Sequence, residues 1–499
     1  MRGLAVLFIL CSARIFAQVD VYPGQTVKAI VEANPAGTTF LLHAGTYRMQ
    51  SVKPRKDDVF LTVGGPVIFN GSKILSGFTL DTESGLWVVP VTESIPESGE
   101  CERSAPLCGY PQDVFIDNAL QKPVTRPGLV TEQTYYFDHE NLKLYLPSAA
   151  DPNHHVVEMA ATKVAFSASA TGVQIRGNAG SRLVVEKYAT PAQFGAIGGA
   201  PGGAAWVVDG VEVRYNHAAG VKLSGNGEIL NSYLHHNGQE GFAWYDATIV
   251  NAAHQRVIHN DISFNNTAGY SKAWEAGGGK FWKTNGLLVA RNSVHDNNGY
   301  GLWFDTCNTG EVITENNASG NAGSGLFIEI SGAFTVTGNT FENNTSTEWS
   351  DPWNGQIEIY ASPKGTISGN TIVVPHRTSE DGRNEGLGIV LMAEARRTMN
   401  CGRVTTGAVT DVVVSSNTIT SSGNGWTGMF ANDRYPESVF TGVTFQGNRY
   451  INTAEHGQSC SGRMWMLPVS VPGTGSGNAA SFKEWQAAGF DKDGSCTGE

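Results

Sequence analysis

The chain is short of basic residues, of long apolar segments and of metal-binding cysteine patterns. Its 34 Lys and Arg residues stand against 46 Asp and Glu residues, which gives a net charge of −12. This balance argues against nucleic acid and anionic membranes as partners. After position 17 no apolar run is long enough to cross a bilayer. There is also no Cys-x-x-Cys pair and no Cys/His spacing typical of a metal site.

The first 17 residues have the pattern of a secretory signal peptide. Met1-Arg2 precedes an apolar core from Leu4 to Leu10, and Ala17 follows a second short apolar stretch. This pattern predicts cleavage after Ala17 and a mature protein that is soluble and either secreted or periplasmic.

An exported chain with an even number of cysteines is compatible with disulfide bonds. Beyond the predicted signal peptide six remain: Cys101, Cys108, Cys307, Cys401, Cys460 and Cys496. Cys101 and Cys108 close a short loop and are the best predicted pair. A Cys401–Cys460 pair and a free, buried Cys307 are open alternatives.

An asparagine-rich motif recurs through the middle of the chain, with a β-branched or aromatic residue after the first Asn and a Gly and an apolar strand after the last. Its copies are Asn231 to Asn237, Asn260 to Asn265, Asn292 to Asn297, Asn316 to Asn321 and Asn339 to Asn343. A period of roughly 22–32 residues with short apolar runs is typical of a solenoid of β-coils. Asn tolerates left-handed turns, and stacked Asn amides can bond one another, so the Asn residues are interpreted as structural ladders.

The rest of the chain divides around these coils. Residues 18–84 are predicted to form an N-terminal cap, with a helix at Gln25–Ala33, and the first coils. Residues 85–158 alternate apolar and polar positions between turn signals, which indicates an inserted antiparallel β-module. Coils are predicted over 159–470, and 471–499 form a C-terminal cap, with a helix at Phe482–Ala488, and a tail.

These pieces together resemble the exported pectin-lyase-like superfamily. The matching features are Ala44-Gly-Thr-Tyr-Arg48, Phe115-Ile-Asp-Asn118, Lys143-Leu-Tyr-Leu146, the Asn-rich coils and Phe482-Lys-Glu-Trp-Gln486. The resemblance implies an all-β, right-handed parallel β-helix with short helical caps. Members include polysaccharide lyases, glycoside hydrolases, epimerases and sugar-binding proteins, so the fold alone does not select a reaction.

Alternation along three strands that follow turn glycines gives a candidate site. In Gly301–Asp305, Gly325–Glu329 and Gly355–Tyr360 it points Leu302, Phe304, Leu326, Ile328, Ile330, Ile357 and Ile359 inward. The outward set, with the preceding coil, is Lys280, Trp282, Trp303, Asp305, Phe327, Glu329, Glu358 and Tyr360.

Stacked carboxylates repel one another, and this repulsion can raise the pKa of one of them so that it acts as a general acid. Carboxylates one rung apart lie near the spacing of retaining glycosidases, and two rungs apart near that of inverting ones. The candidate catalytic residues are therefore Asp305, Glu329, Glu358 and Lys280. The candidate substrate-binding residues are Trp282, Trp303, Phe327, Tyr360 and Glu275.

Loop lengths favour the same face. Extra residues occur at Thr267–Gly278, Thr345–Asn354, Pro375–Glu385 and Ala393–Gly407. Long loops beside one face of a rigid scaffold usually form a binding groove.

Three functions stay open. The first is hydrolysis of an extracellular polysaccharide or oligosaccharide by paired carboxylates. The second is a uronate lyase with Lys280 as base, although pairing of Lys280 with the acids is the favoured interpretation of that residue. The third is a carbohydrate-binding or surface-structural β-helix without catalysis.

The remaining expectations concern cofactors and histidines. We expect a monomer with no cofactor and no metal. A calcium ion held by the acids is an alternative, although no loop has an ordered calcium-binding pattern. His235, His236, His259 and His295 are interpreted as turn or surface residues.

Overall fold

The chain winds into stacked coils, most of which contribute three short strands. A computed structural model describes residues 18–178, 180–200, 202–246, 255–345, 355–375, 387–393, 407–422, 426–431, 437–453, 459–467 and 479–498. Two strands of each coil join one large sheet, called sheet 1, and the third joins a second sheet, called sheet 2. Neighbouring coils pair in parallel, as the repeat predicted.

Sheet 1 forms two faces of the coil, and a turn separates its two strands in each later coil. Its strands are Gln18–Val21, Thr39–Arg48, Val59–Asn70, Gln174–Arg176, Leu183–Glu186, Val207–Asp209, Val211–Arg214, Glu228–Leu230, Tyr233–His235, Arg256–Ile258, Asp261–Ser263, Leu288–Ala290, Ser293–His295, Val312–Thr314, Asn317–Ser319, Phe334–Thr337, Thr340–Glu342, Gly365–Ser368, Thr371–Val374, Val412–Ser415, Thr418–Ser421, Thr444–Gln446, Arg449–Asn452 and Ser495–Thr497.

Sheet 2 forms the remaining face and carries the predicted site. Its strands are Gly195–Ile197, Gly203–Ala204, Ala219–Ser224, Glu240–Tyr245, Gly277–Trp282, Tyr300–Asp305, Leu326–Glu329, Gly355–Tyr360, Leu387–Ala393, Trp426–Ala431, Trp465–Met466 and Ala479–Ala480.

Asparagine ladders hold the turns on both sides of the second strand of sheet 1. In one ladder each Nδ2 donates to the Oδ1 of the next coil at 2.8–3.0 Å, through Asn260, Asn292, Asn316, Asn339, Asn370, Asn417, Asn448 and finally Asp491. A second runs at 2.8–3.0 Å through Asn216, Asn237, Asn265, Asn297, Asn321, Asn344 and Gln356. The structural interpretation of the Asn residues is confirmed.

Two members of the sequence motif are out of register, Asn231 and Asn343; the second ladder passes through Asn344 in place of Asn343. Ser232, and not Asn231, occupies the ladder position, because the Ser232 amide donates to Asn260 Oδ1 at 2.9 Å. Asn231 takes a left-handed turn conformation with φ 48°. The sequence pattern places Asn231 in the ladder because Asn suits both a ladder position and a left-handed turn.

Glycines such as Gly241 and Gly278, which precede inward positions of sheet 2, are required because neighbouring coils pack closely there. A Cβ on Gly241 would lie 2.7 Å from the Gly278 carbonyl oxygen, and one on Gly278 would lie 2.4 Å from that of Gly301. Only glycine permits this approach.

Helices cap the coil where the sequence predicted them. The first spans Val27–Ala33 and buries Val27 and Val31. The last spans Phe482–Ala487, begins with a capping box between Ser481 and Glu484, and buries Phe482 and Trp485. Short 3₁₀ turns occur at Pro127–Leu129, Pro152–His154 and Glu437–Phe440. No helix in the described ranges has both the length and the apolarity that a membrane crossing needs.

A mainly antiparallel module interrupts the coils after Asn70. One of its sheets has the strands Ser72–Leu75, Val114–Ile116, Ala119–Leu120 and Val157–Ala160, and the other has Thr79–Leu80, Trp87–Pro90, Lys122–Pro123, Thr134–Asp138 and Lys143–Leu146. Its own core includes Phe78, Tyr135, Phe137, Leu144 and Met159. Its first strand lies in the segment that the sequence assigned to the early coils.

The predicted Cys101–Cys108 disulfide is present. The Cys401–Cys460 alternative is wrong, since Cys460 bonds Cys496 and attaches the C-terminal segment to the last coils. The free Cys307 alternative is also wrong, because Cys307 is disulfide-bonded. Sequence spacing did not show these pairs because the coil stacking brings distant cysteines together. Cys401 itself lies outside the described residues.

Replacing Asn316 or Asn339 by Ala should lower the free energy of unfolding by about 1–3 kcal/mol, because the change leaves buried backbone carbonyls and the next amide unsatisfied. Asn316 Nδ2 donates to the Val289 carbonyl oxygen as well as to Asn339. Urea melts measure the effect. The exposed neighbour Asn317, changed to Ala, is the control, and equal stability of all three variants would contradict the ladder's role.

Replacing Glu311 by Gln should stabilise the protein more at pH 8 than at pH 5. Burial raises the pKa of Glu311 from 4.5 to about 8, so the folded state retains a proton that the unfolded chain releases. Wild-type stability contributed by this group therefore falls as pH rises between these values. Denaturant melts at both pH values check the difference, which should be absent if Glu311 titrates normally.

Candidate functional site

The outward residues of sheet 2 form two adjacent columns along the coil axis. Strand pairing aligns the first column as Lys222, Ala243, Lys280, Trp303, Phe327, Glu358 and Val390. It aligns the second column as Tyr245, Trp282, Asp305, Glu329, Tyr360, Met392 and Phe430. The predicted site residues on these strands are thus brought together, in two columns where the sequence predicted one.

The inward register is confirmed for six of the seven predicted residues. Leu302, Phe304, Leu326, Ile328, Ile357 and Ile359 all lie in the main core. Ile330 is the exception. It follows the strand end in a left-handed conformation with φ 49°, so its side chain joins an apolar cluster outside the coil.

Most of the two columns is buried, which corrects the prediction of a solvent-facing stripe. Trp303 and Phe327 are each 5% exposed, Glu329 is 7% and Glu358 is 2%. The aromatic rings pack on each other, with Trp303 stacked on Phe327 and Tyr300 against both. Alternation predicts which side a residue faces, but it does not predict what packs over that side.

Lys280 lies at the centre of a buried charge cluster. Its Nζ is 3.2 Å from Glu275 Oε1 and 3.0 Å from Asp305 Oδ2, and it donates to the Trp274 carbonyl oxygen at 2.9 Å. It also lies 3.7 Å from the centroid of the Trp303 ring. Burial lowers the pKa of Lys280, but the Glu275 and Asp305 charges raise it more, so the net shift is upward. The predicted pairing of Lys280 with the acids is confirmed.

Glu240 and Lys222 extend this cluster and were missed from the sequence. Burial raises the pKa of Glu240 well above its ordinary value, the Glu275 charge adds to this, and Lys280 and Lys222 oppose it. The protonated form of Glu240 is therefore favoured relative to an exposed Glu. Its Oε1 has no hydrogen-bond partner among the described groups. Burial lowers the pKa of Lys222, whose Nζ donates to the Gln193 carbonyl oxygen at 2.9 Å.

A sequence signal for Glu240 did exist. It aligns with Ala219, Gly277 and Tyr300 in the neighbouring coils. An acid at a position that is otherwise small or aromatic in these coils is a local anomaly. Glu240 lies three residues after the ladder residue Asn237. It precedes the strand residues from which the outward set was predicted, so it was not among the predicted site residues.

The three predicted carboxylates differ in their surroundings. Asp305 is the most accessible, with its side chain 20% exposed, and Thr306 Oγ1 donates to its Oδ1 at 2.7 Å. Glu329 Oε2 accepts the Trp303 indole N–H at 3.2 Å. Glu358 Oε2 accepts the Ser324 hydroxyl at 2.8 Å. Asp305 and Glu329 are directly paired on adjacent rungs.

The accessible end of the columns is aromatic. Tyr245 is 41% exposed and stacks on the half-buried Trp282 with ring centroids 4.1 Å apart. Lys283 Nζ lies 3.6 Å from the Trp282 ring centroid. Asp305 is paired with Trp282 on the next rung. This end offers a flat apolar surface beside a carboxylate.

The remaining predictions divide between the described and undescribed parts of the chain. Trp274 and Glu275 of the first long loop contact Lys280, as above. Residues 346–354, 376–386 and 394–406, the main parts of the other three loops, lie outside the described residues. Within the described ranges no three His, Cys, Asp or Glu side chains are placed to hold a metal ion. His236 and His259 occupy left-handed turns, and His235 and His295 end strands of sheet 1.

Comparison with known proteins supports the architecture. Residues 196–372 match the family described as right handed beta helix region. No curated protein matches the sequence. The solved complex of XylC with xylose is similar at 15% identity and a TM-score of 0.64, over 88% of this chain and 84% of XylC.

Two further solved structures are less similar. The Azotobacter vinelandii mannuronan C-5 epimerase AlgE6 A-module has 14% identity and a TM-score of 0.43, over 95% of this chain and 93% of that one. DFA-IIIase from Arthrobacter chlorophenolicus A6 without its lid has 13% identity and a TM-score of 0.45, over 91% and 99%.

At these identities the likeness shows the fold alone, and the resemblance predicted from the sequence is confirmed at that level. By its fold, the chain is a right-handed parallel β-helix protein.

Proposed function

We propose that the protein hydrolyses a glycosidic bond of an extracellular polysaccharide or oligosaccharide at the accessible end of the two columns. The observation that carries the proposal is the second column itself. The stacked Tyr245–Trp282 rings are followed on successive rungs by Asp305 and Glu329. A sugar that stacks on the rings would place its ring substituents next to the two acids.

The platform suits a sugar. Sugar rings present apolar faces and polar edges, and exposed aromatic rings beside a few polar groups are a usual binding arrangement. Trp303, Phe327 and Tyr360, predicted as further stacking residues, are buried and would support this surface from behind. The likeness to XylC, which was solved with xylose, also supports a sugar ligand.

The acids provide the chemistry. Asp305 pairs with Lys280 and is the more accessible acid, which suits a base or nucleophile, and this leaves Glu329 as the general acid. Glu358 lies one rung further in the neighbouring column, where its charge would favour a proton on Glu329. Adjacent rungs are about 4.8 Å apart, near the separation of about 5–5.5 Å in retaining glycosidases.

The lyase alternative has less support. A base must be unprotonated to remove a proton from a uronate, and Lys280 has a raised pKa between two carboxylates. Glu275 and Asp305 would also repel an anionic sugar.

Export is supported by the disulfides. Cys101–Cys108 and Cys460–Cys496 are formed, and such bonds persist in oxidising compartments. We infer that residues 1–17, which lie outside the described residues, act as a signal peptide.

Asp305→Asn and Glu329→Gln should each reduce polysaccharide cleavage by about 10²–10⁴-fold, because each removes an acid–base group. Asp209→Asn is a matched control, since Asp209 pairs with Arg176 on sheet 1 and is 23% exposed at the side chain. Reducing-end assays on a polysaccharide panel measure the effect. Full activity in both site variants would support a binding-only protein. The stability of Asp305→Asn should be close to that of the wild type, because Lys280 still pairs with Glu275.

The products should carry new reducing ends without a new double bond. Ultraviolet absorbance of the product mixture checks this, and an absorbing unsaturated sugar would support the lyase alternative.

Lys280→Met should destabilise the fold by about 3–5 kcal/mol, because it leaves Glu275 and Asp305 without their shared cation. Lys187→Met, which breaks a buried pair with Glu158 away from sheet 2, is the control for general destabilisation. A Lys280→Met variant as stable as the wild type would contradict the ion-pair argument.

A further inference from the structure

A concave region lies where the inserted module meets the coils. It consists of two clefts of about 450 Å³ each. Both are lined by Leu107, Pro123 and Thr125, so they adjoin each other, and together they are called here the module groove. Each half has the size of a small-ligand site.

The half nearest the coils has a rigid wall. This wall is the loop closed by the Cys101–Cys108 disulfide, and it faces Thr267–Gly269 of the first long loop. His217 holds the wall in place, since its Nε2 lies 2.7 Å from the Cys108 carbonyl oxygen and its Nδ1 lies 3.0 Å from Asp113 Oδ2. Both ring nitrogens of His217 thus link the coil to the module.

The other half is lined by aromatic rings of the module. Tyr110 stacks on His139 with ring centroids 4.0 Å apart, and Tyr136 lies beside them, partly exposed. Ser94 Oγ contacts His139 Nδ1 at 2.7 Å. Burial lowers the pKa of His139, which favours the uncharged ring. Asp138, Glu140 and Asn141 line the same half.

We propose that the module groove binds a neutral oligosaccharide segment. Partly exposed rings beside carboxylate and amide groups fit the apolar faces and hydroxyl edges of sugars. The lining carries three carboxylates, Asp113, Asp138 and Glu140, against one lysine, Lys122, so it is acidic. An acidic lining repels uronates and phosphorylated ligands.

The groove is connected to the catalytic face by one loop. Gly269 lines the groove, Tyr270 bridges to Cys101 through the backbone, and Glu275 pairs with Lys280. The module therefore supports the loop that completes the charge cluster. The choice of a sugar as ligand rests on the proposed function, whereas the groove itself does not.

Calorimetric titration of Asp305→Asn protein with a neutral xylan-derived hexasaccharide tests the groove without turnover. Tyr110→Ala and Tyr136→Ala, each added to Asp305→Asn, should lower the affinity about 5-fold or more through loss of ring contacts. Tyr22→Ala is the matched control, because Tyr22 stacks on His43 at 4.2 Å at the N-terminal end of the coil and lines neither half of the groove. Trp282→Ala reports on the catalytic face. Melting temperatures identify variants that fail to fold. If Tyr136→Ala is one of them, Tyr136→Phe replaces it; this variant retains the ring and should bind like the parent.

Each outcome separates the two proposals. Unchanged affinity in both groove variants, with a loss in Trp282→Ala, would overturn the groove and leave the proposed function standing. A loss in the groove variants, with full cleavage activity retained by Asp305→Asn, would support the groove and overturn the catalytic assignment. Tighter binding of a galacturonate hexasaccharide than of the neutral one, reduced by Tyr110→Ala, would overturn the ligand class.

Discussion

The amide ladders are the interaction on which the rest of the structure depends. Each ladder Asn has its amide buried in a turn, donates to a backbone carbonyl of the preceding coil and bonds the next Asn. A buried turn without these bonds would leave several polar groups unsatisfied. Because the ladders run on both sides of one strand, they also set the register between the coils that they join, from Asn216 onwards. A slip of one residue would exchange core and surface on sheet 2.

Strict register has an electrostatic consequence on sheet 2. Residues at equivalent positions of successive coils are superposed, so Asp305 lies directly beside Glu329. Lys280 offsets part of this repulsion by pairing with both Glu275 and Asp305, and burial raises the pKa of Glu240. Clusters of charged groups are destabilising in a protein interior, and carboxyl groups with shifted pKa values are concentrated at functional sites. The same superposition stacks Trp303 on Phe327 and Tyr245 on Trp282.

The inserted module complements the coil because the two are joined at a corner by polar contacts. His217 of the coil binds both Cys108 and Asp113 of the module, and Lys187 pairs with Glu158 in a buried contact. The loop that leads from this corner to Lys280 bonds the disulfide-closed segment through Glu102 and Gly269. Under the proposed function, the module would hold the glycan chain while the end of the columns cleaves it.

The sequence by itself determined the repeat, the ladders, the helical caps and the Cys101–Cys108 pair. Each depends on local chemistry: a glycine where coils touch, an amide in a left-handed turn, a capping box, two cysteines in one loop. It also predicted which side of sheet 2 carries Lys280, Asp305, Glu329 and Glu358, because alternation is a property of the strand. Only the tertiary structure decided that most of this face is buried, that Glu240 joins the cluster, and that Cys460 bonds Cys496. Those outcomes depend on which segments meet across many coils, and no local pattern contains that information.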